Sequence, residues 1–249
     1  MRNIFTGILG CLYAGPILML LLGSLQGQGF HNYRSVWERV DLLALLENSL
    51  LIAGCTVVFG AFINSLAGYA LARLDFPGRP AVLAAILVAM VIPFEAVAVP
   101  LFFSVSRLGL RDTLMVQILP FVANGFSVYL FYTFYLEFPR ELEEAARLDG
   151  ASPWQIYSRL CLPNSKPALA THAIITLLAS WSAYLWPLLI TAGPQARPLA
   201  LAIATFMATP PLHWGQVFSF GVLMVAPVLL GFGLLQKHFQ PNALSSGIK

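Results

Sequence analysis

Long apolar runs alternate with short polar stretches along these 249 residues. A helix needs roughly 20 apolar residues to cross about 30 Å of hydrocarbon. By that measure the pattern predicts about six spans, over 4–25, 48–72, 81–103, 113–136, 167–190 and 214–236. The first run is preceded only by Met1-Arg2-Asn3 and lacks a clear small-residue cleavage site before Gln26, so it reads as a retained anchor rather than a removed signal peptide. Residues 73–80 form a turn-rich basic loop, and 191–213 a Pro/Gly-rich connection. No internal repeat is evident. The expectation is one all-α, polytopic membrane domain over 1–249.

One polar stretch differs from the rest. Residues 137–166 hold five acids and four bases, whereas 113–136 and 167–196 contain no Asp, Glu, Lys or Arg. So charged a segment cannot lie in hydrocarbon and must be an extramembrane loop. Arg140 with Glu144 and Glu143 with Arg147 have the i,i+4 spacing of helical ion pairs, Ala145 and Ala146 are strong helix formers, and Gly150 supplies a left-handed helix stop. Ser152-Pro153-Trp154-Gln155 then has the capping-box pattern that restarts a helix, which Pro163 is expected to close. The loop thus reads as helix, glycine turn, helix.

Composition narrows the class. Hydrophobic residues make up 58% of the chain and charged residues 10%, against the roughly 25% charged of a soluble domain. Cys11, Cys55 and Cys161 are odd in number and widely separated, which yields neither a disulfide framework nor a metal site. With both termini in the cytoplasm, nine bases (Arg2, Arg73, Arg79, Arg140, Arg147, Arg159, Lys166, Lys237, Lys249) lie inside and five (Arg34, Arg39, Arg107, Arg111, Arg197) outside. That excess inside supports the orientation and puts the charged loop on the cytoplasmic face.

Residues able to carry chemistry are few. There is no Gly-x-x-x-x-Gly-Lys-Ser/Thr phosphate loop, and no hydrolytic constellation is present. Nor is there the relay of embedded ionisable groups that an ion-coupled secondary transporter uses, although that class stays open as an alternative. His172, inside the fifth span, reads as a helix-packing donor. Trp181, Tyr184 and Trp186 can stack on sugar rings or form an interfacial aromatic belt; Asn64 and Asn124 can meet hydroxyls or bond neighbouring helices. Glu95 is the one acid well inside a span. At about fourteen residues past the inner end, roughly 21 Å across at 1.5 Å per residue, it is either bonded to freed backbone amides or a neighbouring helix, or partly reached by outside water, or else a gate or pathway acceptor for substrate hydroxyls.

The run Glu144-Ala145-Ala146, three residues, Gly150, nine residues, Leu160, Cys161, Leu162-Pro163 resembles the coupling loop of ABC-importer permeases, which usually carry Ile at the Leu160 position. Phe138-Pro139-Arg140-Glu141, Tyr69-Ala70-Leu71-Ala72-Arg73, Phe76-Pro77-Gly78-Arg79 and Ser246-Gly247-Ile248-Lys249 are similar to the carbohydrate branch, in particular its shorter maltose-type subunit. The resemblance implies an inner-membrane, multi-pass permease for a carbohydrate or related polyol, with glycerol 3-phosphate as the alternative. It also implies two copies of an ATP-binding subunit, a homologous second permease and an extracytoplasmic solute-binding protein as partners, and no cofactor. By the same resemblance Glu143, Glu144, Ala145, Ala146, Asp149, Gly150, Leu160 and Pro163 belong to the ATPase-coupling loop.

Overall fold

The computed structural model describes residues 14–208 and 210–235, which are all-α, with no strand among them. In chain order the helices are α1 (Ala14–Ser24), α2 (His31–Arg39), α3 (Leu42–Arg73), α4 (Arg79–Val91), α5 (Phe94–Arg107), α6 (Leu114–Val122), α7 (Gly125–Leu136), α8 (Arg140–Leu148), α9 (Pro153–Gln155), α10 (Leu162–Asn164), α11 (Lys166–Trp181), α12 (Leu185–Ile190), α13 (Leu199–Met207) and α14 (Trp214–Leu235). A π-helical segment, Ile156–Cys161, joins α9 to α10.

Two compact units emerge, one from the described residues up to Asn48 with Arg197–Leu235, the other from Ser49–Ala196. In the first, the Asn32 amide donates to the Ser24 and Gln26 carbonyls (2.9 and 2.8 Å), and the Ser219 hydroxyl donates to Ser24 (3.0 Å), tying α14 to the end of α1. The connection 191–213, expected to be irregular, instead contains α13, whose Leu199, Leu201 and Phe206 are buried. Its apolar run was long enough for helix once Pro198 set the start.

α3, whose first turn is capped by the Asp41 carboxylate accepting from Ala44 N–H (3.1 Å), supplies residues 49–73 to the second unit. Gly60, Asn64 and Gly68 fall at i, i+4 and i+8 on one face of α3, and a Cβ at Gly68 would come within 2.6 Å of Phe131 and 2.8 Å of the Tyr132 nitrogen. These small residues let the α3 and α7 backbones approach closely.

Three of the expected spans are interrupted. The run 81–103 is two helices bent by 99° at Ile92-Pro93, since Pro93 forces Ile92 out of the α region (φ −72°, ψ 117°). The depth of 21 Å derived for Glu95 from an unbroken helix therefore does not hold: Glu95 stands in the first turn of α5, exposed. The run 113–136 breaks at Ala123–Asn124 after Pro120, and 167–190 at Ser182–Tyr184. By length and composition, Leu42–Arg73, Leu114–Leu136 and Trp214–Gly231 are long enough to cross a membrane, and the bent α4–α5 pair makes up to four. The expected first span begins outside the described residues, as do Cys11 and the basic C-terminal residues Lys237 and Lys249.

Candidate functional site

Between residues 140 and 164 the chain runs as α8, a turn at Gly150, and then α9, the π-helical segment and α10. α8 ends in a Schellman arrangement, with Gly150 N–H on the Arg147 carbonyl (3.0 Å) and Ala151 N–H on Ala146 (2.9 Å), and Gly150 at φ +81°. Both bonds of the capping box form, Ser152 N–H to Gln155 Oε1 (2.8 Å) and Gln155 N–H to Ser152 Oγ (3.3 Å). Pro163 does not end the helix. It lies inside α10, and the widened π turn of Ile156–Cys161 before it gives the proline ring room that an α-helical turn would deny.

Two further expectations are corrected. Neither i,i+4 ion pair on α8 forms among the described residues; Glu143 turns inward, 4% exposed, and its carboxylate meets the Arg73 guanidinium at 3.0 Å. Glu143 thus lies at the buried root of the loop and not on its exposed edge. Of the other resemblance-implied residues, Glu144, Ala145, Asp149, Gly150 and Pro163 are exposed, while Ala146 and Leu160 are half-buried. Leu148, which sequence reasoning passed over, is 90% exposed beside them.

Beneath that exposed edge the loop is fastened to the spans. The Tyr157 hydroxyl meets Ser65 Oγ (2.8 Å), Ser165 Oγ donates to Tyr135 (3.0 Å), and the Tyr69 hydroxyl reaches the Pro153 carbonyl (3.5 Å). Tyr69, Phe131, Tyr135, Ile156, Tyr157 and Cys161 form one buried cluster. Burial raises the Tyr157 phenol above its ordinary value, and burial, with Glu143 adding to it, pushes the Cys161 thiol up to about 12. These groups are neutral packing elements.

The candidate pathway residues divide differently. Trp186 is 2% exposed, and its indole N–H donates to the Val116 carbonyl (3.0 Å). That carbonyl would accept from residue 120 in an unbroken helix, but residue 120 is proline, so Trp186 repairs the gap. Trp181 is buried as well. Of the three aromatics read as either a stacking platform or an interfacial belt, only Tyr184 is exposed, at 41%. Asn64 repairs the next break: its amide donates to the Gly60 and Val122 carbonyls (2.7 and 2.8 Å) and its oxygen accepts from Asn124 N–H (2.9 Å). Asn124 is exposed and caps α7, its oxygen accepting from Ser127 N–H (3.1 Å). His172 joins α11 to α7 and α3 through Ser127 (2.9 Å) and the Val57 carbonyl (3.2 Å), a packing role as expected. Phe94, Phe121 and Trp186 pack with ring centroids 5.3–6.4 Å apart, each within two residues of a break. The three interruptions therefore converge, and Glu95, Asn124 and Tyr184 are among the polar side chains exposed near them.

A further clamp escaped the sequence reading. Asp112, at φ +59°, accepts from the amides of Ala192 (3.1 Å) and Gly193 (2.9 Å), and the Gln117 amide holds the Ala196 carbonyl, so residues 191–196 are fixed at both ends. The positive φ tolerated by Asp after Arg111 was the one signal available.

Residues 56–244 match the family described as binding-protein-dependent transport system inner membrane component. The chain belongs to this family. The permease is 30% identical to the arabinooligosaccharides transport system permease protein AraQ of Bacillus subtilis (strain 168), over 99% of this chain and 94% of that one. It is 32% identical to the sn-glycerol-3-phosphate transport system permease protein UgpE of Pectobacterium atrosepticum, over 86% and 79%. The permease shares its fold with a solved bacterial ABC transporter involved in import of the acidic polysaccharide alginate, with a TM-score of 0.83 at 22% identity, over 96% of this chain and 95% of that one.

Proposed function

We propose that this permease is a translocating subunit of an ATP-driven ABC importer for a carbohydrate or related polyol. The whole chain acts as a single permease domain of six spans with both termini in the cytoplasm. Residues 137–166 form its coupling loop, and ATP is hydrolysed on two copies of a separate ATPase chain. A homologous second permease completes the pathway, and a solute-binding protein on the far side delivers substrate. The observation that carries this is the loop itself: Glu144, Ala145, Asp149, Gly150 and Leu148 project from a helix pair fastened rigidly from below, the form of a lever offered to another protein. The similarity to AraQ supports an oligosaccharide, and that to UgpE keeps a glycerol phosphate as the second reading.

Reconstitution with the ATPase, the sister permease and the binding protein tests the lever. Glu144→Lys reverses a charge on the exposed edge and Gly150→Val opposes its positive φ. Both variants should insert and assemble, yet lose substrate-stimulated ATP hydrolysis and transport. Normal stimulation in both refutes the reading. Cysteines introduced at Ser152 and Gln195 should label from opposite sides of the membrane, Ser152 from the cytoplasm; labelling from one side overturns the six-span topology. Calorimetric screening of the binding protein against sugars and glycerol phosphate separates the two substrate classes.

A further inference from the structure

We propose that the Arg73–Glu143 ion pair is the joint through which movement of the loop reaches the membrane spans, with both side chains acting as positioning residues for transport. The proposal rests on the reading that an ATPase moves the loop. Of the ion pairs among the described residues, Arg34–Glu38 and Arg79–Asp75 lie at the surface, whereas the Arg73 and Glu143 side chains are 4% and 6% exposed. Arg73 is the last residue of the 32-residue α3. Its guanidinium also donates to the Phe138 carbonyl, at the hinge between α7 and α8. Glu143 sits near the middle of α8 and accepts from the Cys161 thiol of the π-helical segment at 3.9 Å. One charge pair thus touches a span end, the hinge, and both arms of the lever.

Physics favours this contact over its apolar surroundings for transmission. Apolar contacts are non-directional and let packed surfaces slide. A buried guanidinium and carboxylate resist separation, because each would be left as an uncompensated charge in a low-dielectric site. Displacing α8 therefore carries Arg73, and with it the end of α3, along. The pair also sets the rotation of α8: with Glu143 inside, Glu144, Arg147 and Leu148 face out.

The test uses the reconstituted importer and reads ATP hydrolysed per substrate transported. Arg73→Met combined with Glu143→Leu replaces the pair with apolar groups of similar volume, and Glu143→Gln removes one charge. The apolar double variant should assemble at wild-type yield and keep hydrolysing ATP, while ATP consumed per substrate rises about tenfold, the scale of a coupling free energy between sites. Arg73→Lys, which keeps the charge and loses the fork, should fall between. A native ratio in both the double variant and Glu143→Gln overturns the proposal. So does failure of the double variant to assemble, since the pair would then be a requirement of folding. Glu144→Lys run in parallel separates the layers. Uncoupling by Glu144→Lys alone rejects only the joint, whereas a native ratio there and in the double variant rejects the loop reading itself.

Discussion

The loop root and the helix breaks both place polar groups inside apolar surroundings, and they resolve that problem in opposite ways. At the root, charge meets charge and hydroxyl meets hydroxyl: Arg73 with Glu143, Tyr157 with Ser65, Tyr135 with Ser165. At the breaks, side chains from neighbouring helices patch main-chain groups freed by prolines and kinks, Asn64 across Ala123 and Trp186 onto the carbonyl orphaned by Pro120. The patches satisfy the backbone and leave Glu95, Asn124 and Tyr184 exposed. A closed polar core suits a part that must move as one body. A patched break suits a part that must change shape and still present polar groups.

The sharpest contrast is chemical access. In a protein with Cys11 and Cys55 replaced by serine, Cys161 should react with a water-soluble maleimide far more slowly than a cysteine introduced by Tyr184→Cys. Its thiol, pushed up to about 12, stays protonated at ordinary pH. The thiolate fraction at neutral pH is then about a thousandfold below that of an ordinary cysteine, before burial is counted. Because the value is raised, reactivity should climb with pH until about 12 and then level off. Rapid labelling of Cys161 at pH 8 in the folded protein would show that the root is open.

Two glycines compare the regions next. A Cβ at Gly68 meets Phe131 and the Tyr132 backbone at under 3.0 Å, whereas one at Gly150 meets nothing within 4 Å. Gly68→Ala should lower stability by about 3 kcal/mol through overpacking of two backbones. Gly150→Ala, strained only by its positive φ, should lose about 1 kcal/mol. Thermal unfolding of each variant in detergent checks the order, and equal shifts would contradict the close approach of α3 and α7. Asn64→Leu comes after these. It leaves the Val122 carbonyl and Asn124 N–H without partners and should be destabilising by about 2 kcal/mol, while Asn124→Ala, losing one cap, should lose about 1 kcal/mol.

Part of the loop was legible beforehand because its signals are local: Gly150 and the Ser152–Gln155 box act within one or two turns. The partner of Glu143 was not. Arg147 at i+4 is near in sequence, and only the fold brings Arg73 from 70 residues away into a site dry enough for the pair to hold. The breaks were half legible. Pro93 and Pro120 are written in the chain, yet hydropathy reads straight through them because the residues on both sides are apolar. Asn64 and Trp186 became intelligible only once the breaks they repair were located. Trp186 and Trp181 read as surface aromatics for want of any signal that their rings turn inward.

The smallest effect is expected at Glu95. Its side chain is exposed in the first turn of α5, where a carboxylate faces the positive end of the helix dipole but makes no bond that folding depends on. Glu95→Gln should therefore leave thermal stability within about 0.5 kcal/mol of wild type. If the converging breaks line the pathway, the same change should alter substrate handling without touching assembly or ATPase coupling, since it removes charge while keeping shape and hydrogen bonding. Tyr184→Phe, which removes only a hydroxyl, should act in the same direction. A transport assay across two or three sugars reads both. Wild-type rates and selectivity in Glu95→Gln and Tyr184→Phe would mean that the breaks serve packing alone, and the contrast between a root that transmits and a break that opens would then lose its second half.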